Sequence, residues 1–155
     1  MNSLIKKLVA KGTIKLTEAS NEICESYLKK SDKSLLSSKT LLTIDNFDDA
    51  TALTYYSMYY SVLGLFFKCG IKSENHAGTI ILLKEIFDID NTKIQNSKKE
   101  RVDKQYYVEF KATKSEVDEG IKIAEEFNSI IKENIDKISL NEISKIRELF
   151  KEKYN

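Results

Sequence analysis

The stretch 50–67 carries no charged residue, in a chain where 32% of residues are Asp, Glu, Lys or Arg. An uncharged run of this length approaches what a helix needs to cross a bilayer. It also contains Thr51, Thr54, Ser57 and Ser61, and four tyrosines at Tyr55, Tyr56, Tyr59 and Tyr60. Polar groups at that density suit a helix wrapped by other helices better than one wrapped by lipid, because neighbouring elements can meet the hydroxyls. The run therefore predicts the central helix of a bundle, with no membrane span. It also requires amphipathic elements around it.

Those elements follow from hydrophobic spacing. A long helix is expected over 17–42, with Ile23, Tyr27, Leu28, Leu35 and Leu42 as inward candidates. A short one is expected over 3–10. The polar stretch Asp45-Asn46-Phe47-Asp48-Asp49 forms a loop and supplies a cap, and the central helix follows over 49–69. Gly70 then stands where a helix end favours a left-handed residue. Ser73 is the expected cap of a helix carrying Ile80, Ile81, Leu83 and Phe87. After a loop over 88–95, a further helix is expected over 97–110. Ser115 with Asp118 resembles a capping box, and Ser139 with Glu142 is a better one, opening a last helix over 139–154. No period-two segment of useful length competes. The fold class is all-α, an antiparallel bundle of five to six helices. With no proline, five glycines and no composition break, residues 1–155 read as one domain.

Composition excludes several function classes. The net charge of +1 provides no global attraction to polyanions. Residues 93–114 are locally basic and interleaved with Tyr106, Tyr107 and Phe110, a pattern that fits either a nucleic-acid contact or a solvated helix face. Cys24 and Cys69 form no CxxC, and there is one histidine, so a zinc site is not expected and no cofactor motif is present. The segment 1–10 is too short and too charged for a secretory leader, and the isolated cysteines suit a reducing compartment. A cytoplasmic location is the expectation.

His76, the sole histidine, lies in Ser73-Glu74-Asn75-His76 at a helix start. Free backbone amides there favour an anion, so Asn75 and His76 are candidates for holding a phosphate. The alternative is a histidine that only bonds a neighbour. Arg101 and Arg147 are the only arginines among 25 basic residues, and a guanidinium grips phosphate or carboxylate as a fork. Four phenols on adjacent turns cannot all be dry without partners, so Tyr56 and Tyr60 are candidates for lining a cleft, with ordinary core tyrosines as the alternative.

Several segments together resemble the HEPN family of small helical proteins. They are the Tyr27-Leu28 helix, Phe47-Asp48-Asp49-Ala50, Tyr55-Tyr56-Ser57-Met58-Tyr59, the turn from Gly70 to His76 with Ala77-Gly78, Arg101 to Tyr106, and the helix from Ser115 to Phe127. The resemblance covers 27–131 and implies a bundle that pairs as a homodimer around a polar cleft. It also implies RNA or nucleotide as ligand, and a minimal nucleotidyltransferase as partner in a toxin–antitoxin pair. Active members are metal-independent ribonucleases in which an arginine four to six residues before a histidine steadies the phosphorane while the histidine moves protons. Here Cys69, Gly70 and Ile71 occupy the arginine positions. Tyr60 replaces a histidine, and Gln105 an aspartate, of the related branch. The resemblance thus carries over His76, together with Arg101 and Tyr106. It leaves two functions: an interaction module with an eroded motif, or a nuclease using His76 with Lys72 or Arg101. A structural subunit without ligand is a third reading.

Overall fold

The computed structural model describes residues 2–107 and 111–155. Phe110, the expected end of one helix and one aromatic of the basic stretch, lies outside the described residues. The elements in order are α1 (Asn2–Ala10), β1 (Ile14–Leu16), α2 (Asn21–Thr43), α3 (Phe47–Lys68), β2 (Ile71–Ser73), α4 (His76–Glu85), α5 (Thr92–Tyr106), α6 (Lys114–Lys137) and α7 (Leu140–Tyr154). The all-α bundle is present, with seven helices among the described residues. No described helix is long and apolar enough to cross a membrane.

The uncharged run forms α3, and α2, α5 and α6 pack around it. Its inward residues include Tyr55, Met58, Val62, Leu65 and Phe66, all fully buried. The buried hydroxyls are matched across helices. Ser31 donates to the Ser57 carbonyl at 2.6 Å, and Ser38 donates to the Ala50 carbonyl at 2.7 Å. Ser61 donates to Asn128 Oδ1 at 2.9 Å, and Asn128 Nδ2 reaches Ser57 Oγ at 3.3 Å. Burying these groups costs little once each has a partner. Small side chains also let α2 approach closely, since a Cβ at Gly64 would lie 3.3 Å from the Cys24 carbonyl.

Local chemistry shifts several expected boundaries. Ser20 caps α2 by accepting from Ile23 N at 3.1 Å, so the helix starts at Asn21 rather than at residue 17. The residues ahead of it include a strand that hydrophobic spacing did not indicate. β1 pairs antiparallel with β2 in the register Ile14↔Ser73, Lys15↔Lys72 and Leu16↔Ile71. Ser73 is therefore a strand residue. Asn75 caps α4 instead, its Oδ1 accepting from Gly78 N at 2.8 Å. α5 starts at Thr92, with Asn91 donating to the Ile80 carbonyl at 2.9 Å. The capping box of α6 is Thr113 with Glu116, two residues before the Ser115–Asp118 pair, whereas Ser139 with Glu142 caps α7 as expected.

Gly70, with φ of +72°, turns the chain from α3 into β2. A Cβ there would collide with the Arg147 guanidinium and would lie 2.5 Å from the Thr17 carbonyl. Arg147 holds this corner by donating to the carbonyls of Thr17, Cys69 and Gly70 at 2.8, 3.1 and 2.9 Å. That arginine thus closes the base of the bundle, satisfying carbonyls at the end of α3 that have no helical partner. α7 also inserts Phe150 and Tyr154 into the core.

Candidate functional site

Three elements bring the sequence candidates together. On α3, Tyr55 and Tyr59 lie one turn apart and point inward, while Tyr56 and Tyr60 are half-buried. The Asn75 cap starts α4 so that His76, its first residue, faces these rings. The imidazole lies flat on Tyr59, with ring centres 4.0 Å apart and planes 7° from parallel. Its Nδ1 lies 2.7 Å from the Tyr55 hydroxyl. It meets the Tyr56 ring edge-on at 6.2 Å.

Arg101 comes in from α5. Its guanidinium carbon sits 5.3 Å from the centre of the Tyr55 ring and 5.5 Å from that of Tyr56, and Nη1 donates to the Tyr56 hydroxyl at 3.4 Å. The imidazole centre lies 5.8 Å from the centre of the same Tyr55 ring. Arginine and histidine, distant in sequence, therefore flank one pair of tyrosines.

The electrostatics keep this cluster's imidazole neutral. Burial lowers the His76 pKa, and the positive charges of Arg101 and Lys98 lower it further. Burial raises the Tyr55 phenol, assisted by Tyr59 and opposed by Arg101, so it keeps its proton. Burial likewise raises Tyr59. A neutral imidazole bonded to a neutral phenol has two arrangements. If Tyr55 donates to Nδ1, Nε2 carries a proton to give. If Nδ1–H donates to Tyr55, Nε2 has a lone pair that accepts one. Together with the guanidinium, the set can bind a phosphate and exchange protons with a neighbouring oxygen.

The other sequence candidates lie elsewhere or are already engaged. Lys72 sits on β2 and pairs with Glu74 at 2.8 Å, which lowers the Glu74 carboxyl pKa. Asn75 uses its side-chain oxygen as the α4 cap. Tyr106 is exposed at the end of α5. Tyr60 stands beside Tyr56 at 6.0 Å and continues the aromatic surface. Arg147 is committed to the Gly70 corner. Sequence reasoning named Tyr55 and Tyr59 within the tyrosine cluster but not as site residues, and did not name Lys98. The available signal was spacing: Tyr55 and Tyr59 are four apart, and Lys98 and Arg101 are three apart, so each pair shares a helix face.

Cys24 and Cys69 are buried free thiols, raised by desolvation to about 11 and about 12. They are inert at neutral pH. Among the described residues no group of His, Cys, Asp and Glu side chains could hold a metal ion.

In comparisons with known proteins, no curated protein and no solved structure gave a significant match. A family model did match: the HEPN domain aligns to residues 24–135, from the first turn of α2 to the last turns of α6. The matched stretch contains every residue of the tyrosine–histidine–arginine cluster. With most of its length matched, the chain belongs to the HEPN domain family.

Proposed function

We propose that this HEPN protein binds RNA or a nucleotide, gripping a phosphate between Arg101 and His76. The convergence of both side chains on Tyr55 and Tyr56 carries this reading. A guanidinium supplies positive charge with fixed N–H directions, and a neutral imidazole supplies one donor or acceptor. Homodimerisation, and pairing with a minimal nucleotidyltransferase in a toxin–antitoxin system, belong to the same reading and rest on family membership. In the test, fluorescence anisotropy follows a labelled single-stranded RNA titrated with the wild type and with Arg101→Ala. Loss of a charge-assisted contact should weaken binding about tenfold or more. Unchanged affinity in a folded variant overturns the proposal.

Metal-independent RNA cleavage is the second reading, favoured by the Tyr55 hydroxyl on His76 Nδ1, which orients the imidazole and leaves Nε2 to exchange a proton. His76 would take the proton from a ribose 2′-hydroxyl as that oxygen attacks phosphorus. It would return the proton to the departing 5′-oxygen, leaving a cyclic phosphate and a free 5′-hydroxyl. Arg101 would offset the charge gathering on the phosphorane. Cleavage in excess EDTA that disappears in folded His76→Ala supports this chemistry. Absence of cleavage beside a working control ribonuclease leaves the protein a binding module.

A further inference from the structure

We propose that the side chains Phe67, Tyr27, Tyr60 and Tyr56 form a stacking track that holds the bases of a single-stranded RNA extending from the Arg101–His76 site. This rests on the phosphate-binding reading above and deepens it by naming the substrate's form. The track is continuous. Tyr27, on α2, stacks on Phe67 with ring centres 5.4 Å apart and planes at 11°. Tyr60 follows at 6.1 Å, and Tyr56 at a further 6.0 Å. Tyr56, Tyr60 and Phe67 share one stripe of α3, at steps that return to the same helix face. All four rings are partly accessible, neither sealed in the core nor standing free.

Cations lie over the middle of the track and at its Tyr56 end. The Lys30 ammonium lies 5.8 Å from the Tyr27 ring centre and 5.3 Å from that of Tyr60, and the Arg101 guanidinium covers Tyr56. Lys39, Lys93, Lys104 and Lys132 are each neutralised by a carboxylate, whereas Lys30 and Lys98 form no ion pair among the described residues. Hydroxylated rings between cations match a chain that is anionic along its backbone and flat in its bases. The surface between two copies of a protein usually loses charge at its centre. The ring-to-ring steps also exceed the about 3.4 Å rise per nucleotide of a helical strand. A splayed single strand fits them better than a duplex.

The chain contains no tryptophan and eight tyrosines, so tyrosine emission reports directly on stacking. Two strands of about 12 nucleotides are compared: a mixed-sequence RNA, and an abasic ribose-phosphate backbone of equal length. The RNA should bind about tenfold tighter and quench tyrosine emission more strongly. Tyr27→Leu and Tyr60→Leu keep apolar packing, and each should remove most of that tenfold preference. Tyr60→Phe should retain it. Equal binding of both strands, abolished by Arg101→Ala, would overturn the track and leave the phosphate site standing. Binding of neither strand would overturn both. If the leucine variants change the sedimentation of the protein but not the preference for bases, the stripe is an interface between copies and the track is wrong.

Discussion

His76 is set among groups that resist its protonation: buried aromatic rings, Arg101 and Lys98. In an unfolded chain an imidazole titrates near about 6.5. Between that value and the lower folded one, the unfolded chain binds more protons, so acid favours unfolding there. The stability tied to this neutral imidazole is complete above the unfolded value and is lost as pH falls toward the folded value. Urea midpoints measured from about pH 7.5 down to about pH 5 should therefore decline in the wild type. They should decline less in His76→Gln, which has nothing to protonate. The exposed carboxylates of Glu74, Asp88 and Asp90 are lowered by their own partners and titrate below this window. Identical slopes in the two proteins would show that His76 is not held neutral by the fold.

The corner where α3 ends shows how one helix serves another. The three carbonyls held by Arg147 come from the segment ahead of α2 and from the end of α3, and the arginine itself sits on α7. Arg147→Leu keeps the apolar stem but leaves the carbonyls without their charged donor, at a cost of about 2–3 kcal/mol. Chemical denaturation measures this directly, and a loss under about 0.5 kcal/mol would class the contact with ordinary surface changes. This corner also shows where sequence reasoning stops. The central helix shows as an uncharged run, and the amphipathic helices are long enough for their periods to be read. Strands of three residues have no period to detect, and β1 and β2 lie 55 residues or more apart along the chain. Within Ser73-Glu74-Asn75-His76 two residues are able to cap, and strand pairing decides for Asn75. Likewise Thr113 precedes Ser115 as a competent cap. At the candidate site the individual residues His76, Arg101, Tyr56 and Tyr60 were legible from residue type. Their meeting was not, because the Tyr55–His76 and Tyr56–Arg101 contacts span 21 and 45 residues. Lys72 stood close to His76 in sequence, yet the strand carries its ammonium to Glu74.

For the molecule as a whole, the family match and the folded body have different limits. Residues 24–135 leave out α1, β1 and α7, yet Ile5, Ile14, Phe150 and Tyr154 belong to the main buried cluster. Tyr154 additionally donates to the Glu85 carboxylate, and Lys153 donates to the Glu85 carbonyl at 3.0 Å, fastening α7 to the end of α4. Removing a buried aromatic costs about 3–5 kcal/mol, and a protein of this size has about 5–15 kcal/mol in hand. Deleting residues 139–155 should therefore abolish the sharp thermal transition seen by circular dichroism. A truncated chain that melts as sharply as the full one would remove α7 from the folding unit.

On the side of α3 away from the tyrosine stripe, the helix is seated by Ser31, Ser38 and Asn128 on its neighbours, which meet Ser57, Ala50 and Ser61. Oily surfaces slide over one another with little penalty, but these contacts work like the teeth of a key. Advancing α3 by one residue would turn it about 100°. Each tooth would leave its slot at once, at about 1–3 kcal/mol for every buried group left unmatched. The aim of Tyr55, Tyr56, Tyr59 and Tyr60 is thus inherited from side chains that touch no ligand. Exchanges among the outward rings can change the surface while the shaft stays locked in its bore.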